Sequence, residues 1–551
     1  MSKETHEPKG LKKWLPLAVL GLAILIIVID TTLLNVSLGT IIRDLHTNIE
    51  SLQWVIAAYS LTLAALTITG GRLGDLFGRR RFFILGAVIF AMGSLVASLS
   101  HSVGTLLIGE SIIEGIGAAL MMPATASLLV STYHGRDRAV ALGAWGGIAA
   151  VGAAIGPLLG GYLTSHFSWR WGFRINVVVA ALLVLGAFII KDARDREEKP
   201  TLDIVGVLLS AFGLLLGVFS IIEGATYGWI KALRTFYLGK IELSFGSVSV
   251  VPIALILSVV LLSAFVAWEL RMVKRNKTPL VSMKLFANKQ FTSGALTTMI
   301  FSLGQIGLLF VVPVFLQAVR GLDALHTGYA LVPMSVALFI SAPLSGRLSA
   351  KFSPKHITQV GLALEIIALG VLGLGIGVTA SVWHLVPGMA LYGFGAGLCI
   401  AQLSNLTLSA VSVNEVGEAS GVNNTLRQVG ASLGTAIVGA VLLTSISGKI
   451  TSGIQASNVF PEASRTSLAA EVTAQTSAVE FGAKLRTKET LNETEKAEIK
   501  RISNEATVHG NHIALIYMAV AALGALGIST MLPAKPRLSG ESLANTPKAA
   551  H

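Results

Sequence analysis

Runs of Leu, Ile, Val, Gly and Ala long enough to cross a bilayer follow one another along most of the chain, broken by short polar segments. They fall at 14–38, 53–73, 82–100, 104–129, 139–164, 171–190, 203–223, 250–270, 291–316, 327–350, 356–378, 382–411, 420–446 and 511–533. None alternates as a barrel strand would, and a backbone in lipid must satisfy its own polar groups, so the spans are helices. The pattern predicts an all-α polytopic membrane protein of about fourteen transmembrane helices. Two connections are long. Residues 224–249 hold TFYLGKIELSFG, whose alternation predicts a small hairpin, and residues 447–510 hold ETLNETEKAEIKRISNEA, which predicts an exposed helix before the last span.

Composition agrees with this reading. Of 551 residues 53% are hydrophobic and 13% charged, against roughly 25% charged in an ordinary soluble domain. The net charge of +12 would suggest nucleic acid in a soluble protein. Here the cations gather at alternate connections: Arg79-Arg80-Arg81, Arg136 and Arg138, Lys191 to Lys199, Arg271 to Lys277, and Lys351 with Lys355. They therefore read as topology signals, which place both termini in the cytoplasm, the protein in the plasma membrane, and no nucleic acid among its partners. The first run is too long, and too polar at Asp30, for a cleaved signal peptide. Cys399 is the only cysteine, so neither an intrachain disulfide nor a cysteine metal cluster is available. HExxH, GxSxG and Walker signatures are absent. The expectation is a non-enzymatic transporter without cofactor or metal, driven by an ion gradient and not by ATP.

GRLGDLFGRRR at 71–81 is echoed by GRLSAKFSPKH at 346–356, each after an apolar run that ends on the same side. Either the two halves are duplicates, a frequent transporter design with a midplane solute site, or Gly-Arg-Leu recurs by chance. The duplicated reading divides the chain into a tail at 1–13, a six-helix bundle and linker at 14–200, an inserted helix pair at 201–290, a second six-helix bundle at 291–533, and a tail at 534–551. Within the first echo, Asp75 beside arginines can form a latch between bundle orientations, or the run can serve only as a topology anchor.

GGRLGDLFGRRR, with Gly71, Arg72, Leu73, Asp75, Gly78, Arg79 and Arg80, closely resembles the motif between the second and third spans of the major facilitator superfamily. IVIDTTLLNVSL at 27–38 and LQWVIAAYSLTLAAL at 52–66 resemble its fourteen-span drug:proton antiporter branch of multidrug exporters. GIAAVGAAIGPLLGGYL at 147–163, carrying Gly152, Gly156, Pro157, Gly160 and Gly161, resembles the fifth-span antiporter motif. SWRWGFRINV, LDIVGV, EGATYGW and GEASGVNNTLRQVGASLG look like the same group. The resemblance implies two six-helix bundles plus two inserted helices. It also implies proton-coupled export of lipophilic or cationic drugs and similar amphipaths by alternating access. One departure stands out: where the family's fourth span reads L-x-x-x-R-x-x-Q-G-x-G, this chain has LLIGESIIEGIGAA, with Ser111 at the arginine and Glu114 at the glutamine. A proton relay through that arginine is not carried over.

An ionisable group within hydrocarbon costs roughly 2.5–3.5 kcal/mol on insertion scales, so each acid in a span is a functional candidate. Asp30 lies more than halfway along the first span, with Asn35 a little over a turn beyond. Hydrocarbon favours a neutral acid and a bound cation an ionised one, and that reciprocal pull is antiport chemistry. A structural hydrogen bond to a neighbouring helix is the plainer account. Glu110 and Glu114 are one turn apart and would titrate as a pair, unless Glu110, near His101 and Ser102, sits in water at the membrane surface. Glu365 is two to three turns into its span and is a second-tier proton site; Glu223 and Glu269, near span ends, are expected in water. Arg427, among Asn423, Asn424 and Gln428, is a candidate counter-charge for these acids. The glycines of the fifth span would bring a helix close, and Pro157 would bend it. Partners are then a small amphipathic solute, protons and lipid, around a monomer. The alternatives are export of a lipid or one specific metabolite, or a scaffold without transport.

Overall fold

A computed structural model describes residues 11–133, 135–190, 203–238, 241–243, 245–275, 277, 279–349, 351–411, 416–474 and 492–534. The linker lysines and arginines at 191–199 and the termini lie outside the described residues. Among the described residues fourteen helices are long and apolar enough to cross a membrane. The first half contains α1 (Leu11–Asp44), α2 (Ile49–Phe77), α3 (Arg79–Ser98), α4, α5 (Gly135–His166) and α6 (Arg170–Ala187). Helix α4 is built from Val103–Leu106, a π-helical stretch Leu107–Glu114 and Gly115–Thr132. The inserted pair is α7 (Ile204–Ile222) and α8 (Val250–Lys274). The second half contains α9 (Lys289–Ala318), α10 (Ala324–Leu348), α11 (Pro354–Gly375), α12 (Val386–Leu408), α13 (Val416–Ala456) and, after the short α14 (Glu462–Ala474), α15 (Glu493–Ser529).

Each half forms its own bundle, with α1 on α5 and α3 between α4 and α6, answered by α9 on α13 and α11 between α12 and α15. The halves meet along two seams, α5 against α10 and α2 against α13. The inserted pair packs on itself and lays α7 over the second seam, touching both α2 and α13. Trp54 and Ala57 of α2, Val218 and Ile222 of α7 and Ala436 of α13 share one apolar cluster there.

The expected hairpin is present between the inserted helices as an antiparallel pair, β1 (Phe236–Leu238) and β2 (Ile241–Leu243). The expected exposed helix before the last span is different. Its described part is the first portion of α15 itself, which runs unbroken for 37 residues. At about 1.5 Å per residue, such a helix reaches well past a hydrocarbon core of about 30 Å. Its N-terminus carries a capping box, Asn492 with Glu495. Ile499 and Ile502 are buried in the cluster that contains Ile450 and Ile454 of α13 and Leu468 and Val472 of α14. The polar stretch is therefore one wall of a packed projection, because every third or fourth residue in it is apolar.

Candidate functional site

Three buried acids gather inside the first bundle. Asp30 of α1 is 3% exposed, Glu114 of α4 is 0% and Glu110 is 2%. Asn176 of α6 joins two of them: its Nδ2 donates to Asp30 Oδ1 at 2.8 Å and to Glu114 Oε1 at 2.9 Å. One amide thus spends both hydrogens on two carboxyl groups from two other helices. Asp30 Oδ2, Glu114 Oε2, Glu110 Oε2, Tyr59 Oη and Ser94 Oγ are buried without a hydrogen-bond partner among the described residues. Tyr59 of α2 lies within electrostatic reach of all three acids. Asn35 is buried one turn further along α1, its Nδ2 given to Thr31 O at 3.1 Å.

The local sequence explains how charge is held here. Glycines let α3 and α4 touch: a Cβ on Gly93 would lie 2.3 Å from Glu114 N, and one on Gly117 would lie 2.3 Å from Phe90 N. The π-helical stretch ends on Glu114 and contains Glu110 and Ser111. A π-segment inside an α-helix recurs at functional positions because it redirects side chains at some cost in hydrogen bonding. Ser111, in place of the family's arginine, donates to Val55 O at 2.7 Å and ties α4 to α2. Glu110 is not in water at the surface, since the same packing covers it.

Other expected residues sit elsewhere. Arg427 lies within span α13, and its Nε and Nη2 donate to Asn424 Oδ1 at 3.2 and 2.9 Å. It is thus not the counter-charge of Asp30 or Glu114, whose bonds go to Asn176. Asn424 reaches the first half through Met122 Sδ at 3.2 Å. Glu365 is buried in the second bundle beside Gly395, whose added Cβ would lie 3.1 Å from its Cγ, and its Oε1 lacks a hydrogen-bond partner among the described residues. The acids near span ends are not simply in water. Glu269 is fully buried, its Oε2 accepting from Val281 N at 3.1 Å. Glu223, just beyond α7, is half-buried and accepts from Trp54 Nε1 at 2.7 Å. Burial pushes the Glu223 carboxyl up to about 7 against the pull of that donor, and the neighbouring Glu50 carboxyl adds to the rise.

The fifth-span glycines divide between two neighbours. Added Cβ atoms on Gly152, Gly156 and Gly160 would strike Leu25, Thr32 and Leu33 of α1, the one on Gly156 at 1.9 Å from Thr32 Oγ1. The one on Gly161 would lie 2.5 Å from Ala324 O of α10, in the other half, and a Cβ on Gly328 of α10 would lie 2.6 Å from Pro157 O. The two halves are drawn together at the end opposite the N-terminus. There Gln317 bridges Gly39 N and Val36 O at 2.8 and 2.7 Å, and Leu325 N donates to Ser165 Oγ at 3.0 Å.

At the end bearing the N-terminus, Gly78 turns the chain between α2 and α3 with φ of 112°, a conformation that favours glycine. Arg72 Nη2 reaches Leu280 O at 3.4 Å, in the segment after the inserted pair. Arg80 Nη1 reaches Ile190 O at 3.4 Å, and its guanidinium stands 5.3 Å from the Phe188 ring centre. Gly71 packs near Pro123 and Leu73 is half-buried, while the Asp75 side chain lies outside the described residues.

The model of the Major Facilitator Superfamily matches residues 20–435. The chain belongs to that superfamily. A probable actinorhodin transporter of Streptomyces coelicolor is 30% identical over 457 residues, covering 81% of this chain and 75% of that protein. The tetracenomycin C resistance and export protein of Streptomyces glaucescens is 30% identical over 463 residues, covering 81% of each. The methyl viologen resistance protein SmvA of Salmonella typhimurium is 29% identical over 442 residues, covering 80% of this chain and 84% of the relative. Among solved structures, a bacterial homolog of the human lysosomal transporter Spinster, inward-facing and unoccupied, matches with a TM-score of 0.60 at 17% identity, covering 95% of this chain and 98% of that one. That likeness shows the fold alone. The chain is a transporter of this superfamily, not an enzyme. Asn176 was not singled out by sequence reasoning, although it lies within the SWRWGFRINV stretch; an asparagine inside a span was the available signal.

Proposed function

We propose that the protein exports lipophilic or cationic amphipathic compounds in exchange for protons, by alternating access between its two bundles. The reading rests on the Asn176-bridged pair, Asp30 and Glu114. Two carboxyl groups sharing one amide in apolar surroundings hold a proton more readily than two negative charges, and an arriving cation reverses that preference. Asp30 Oδ2 and Glu114 Oε2, which have no hydrogen-bond partner among the described residues, are the atoms that would take and release the proton. No cofactor enters; one charge moving through 100 mV supplies about 2.3 kcal/mol.

In this reading the end bearing the N-terminus faces the cytoplasm, and the protein acts as a monomer in the plasma membrane. Residues 14–200 and 291–533 are the rocking bundles and 201–290 the inserted pair. Arg72 and Arg80 hold the cytoplasmic end, Gly152, Gly156 and Gly160 guide the sliding of α5 on α1, and Arg427 faces solute between the bundles. Glu365 is a second proton site.

The decisive experiment uses inside-out membrane vesicles with an imposed proton gradient, a panel of lipophilic cations and neutral amphipaths, and a pH-sensitive dye. Proton movement on addition of particular compounds, abolished in Asp30→Asn and Glu114→Gln, is expected. Silence across the panel with folded protein would overturn broad drug export in favour of a lipid or a single metabolite.

A further inference from the structure

Beside the carboxyl pair, but outside the seams between the halves, a small cavity of about 50 Å³ lies between α1, α5 and α6. Leu22, Leu25, Ile26, Ile29 and Leu33 of α1 form its back wall at helical spacing. Leu159 and Leu163 of α5 face Ile175 and Val179 of α6 across it. Leu22, Leu25, Ile29, Leu159, Ile175 and Val179 are half-buried, so the cavity is a crevice with an open side. The helix faces flanking that side carry exposed Ile155, Tyr162, Val178 and Leu182, all within spans, so it opens to lipid. At one end Gly172 admits Leu33, whose Cδ1 would lie 2.5 Å from a Cβ added there.

The one polar side chain among the lining residues is Asn176, the same amide that holds Asp30 and Glu114. Walls of Leu, Ile and Val hold no water, and an apolar lining with one polar group suits a compact hydrocarbon group. A group seated here presses on Asn176 and on nothing else polar. Occupancy is thereby transmitted to two carboxyl groups through a single amide.

We propose that this crevice receives, directly from the bilayer, the apolar body of a cationic amphipath, and that Asn176 couples its occupancy to the proton on the Asp30–Glu114 pair. The inference rests on the export reading above and names the class of compound the site takes: a compact ring or branched hydrocarbon bearing a cationic group. The acids behind Asn176 are what favour a cation over a neutral lipid chain of the same hydrocarbon character.

The test uses the full chain in lipid nanodiscs with two photoreactive probes, a diazirine-bearing arylalkyl trimethylammonium and a phosphatidylcholine with a diazirine in its acyl chain. The labelled residues are mapped by mass spectrometry. The ammonium probe is expected to label residues 22–33, 159–163 and 172–179, to be displaced by tetraphenylphosphonium, and to lose at least tenfold in labelling when Val179→Trp fills the crevice. Val178→Trp, on the lipid-facing side, should leave labelling unchanged. Ile175→Phe serves as a second filling variant if Val179→Trp does not fold. Labelling of these segments by the phospholipid alone, or by the ammonium probe equally in the filled variants, overturns the proposal. Flux of the ammonium probe in proteoliposomes separates the two readings. Flux without crevice labelling removes the crevice and keeps export, while labelling without flux keeps the crevice and removes export.

Discussion

Asn176 donates to two charge-capable groups at once, which makes it the most informative residue to change. Asn176→Leu keeps approximate volume and removes both donors. Each buried oxygen left unpaired costs about 1–3 kcal/mol, so the variant should unfold at a lower temperature and lose coupled transport at least tenfold. A stability scan beside the vesicle assay checks both. Asp30→Asn in the Asn176→Leu background should recover part of the stability and none of the coupling, because it removes a buried acid without restoring proton exchange. Glu223 makes a different prediction. Its carboxyl is raised to about 7 in the folded protein against an ordinary 4.5, so the folded state binds the proton more tightly than the unfolded chain. Its contribution is full below about pH 4.5 and is lost as pH rises toward 7. Thermal scans from pH 4.5 to 8 should show a fall in wild type that is smaller in Glu223→Gln; equal slopes would remove Glu223 as the source.

Among the elements, α5 carries the plainest link from composition to contact. Its glycines serve α1 on one side and α10 on the other, so a single helix joins the site-bearing wall to the seam between halves. Gly161→Val should separate the halves at the sealed end, since the Ala324 carbonyl cannot move as a flexible side chain would. Spin labels at Arg43→Cys and His326→Cys in a Cys399→Ser background should then report a longer distance than without Gly161→Val. Gly156→Ala acts on the other contact: its Cβ meets Thr32 Oγ1, and Thr32→Ala should restore the lost activity if that clash is the cause. The motif was legible in the sequence as small-residue spacing, but its division between two neighbours was not, because spacing specifies a face and not what covers it.

Across the whole molecule, the inserted pair is placed over the α2–α13 seam rather than apart from it. Two halves that rock must shear past α7 or carry it along. Replacing Trp54 by Phe removes its bond to Glu223 while keeping an aromatic ring at the seam. Transport in Trp54→Phe should change in rate while substrate preference stays, as expected of a part that guides motion; an altered preference measured across the panel would instead place the seam in substrate binding.

Fourteen spans and the hairpin between the inserted helices were determined by the sequence, because hydrophobic length and alternation are local properties set by the bilayer and the pleat. The acids were legible for the same reason: a carboxyl in an apolar run is conspicuous by composition. Tertiary structure alone decided their company. It brought Asp30 and Glu114 to one amide on α6, paired Arg427 with Asn424, and buried Glu269, whose position near a helix end had suggested water. Partners that lie 62 and 146 residues apart in the chain are joined by helix packing, and no local pattern encodes which helix face a distant segment will meet.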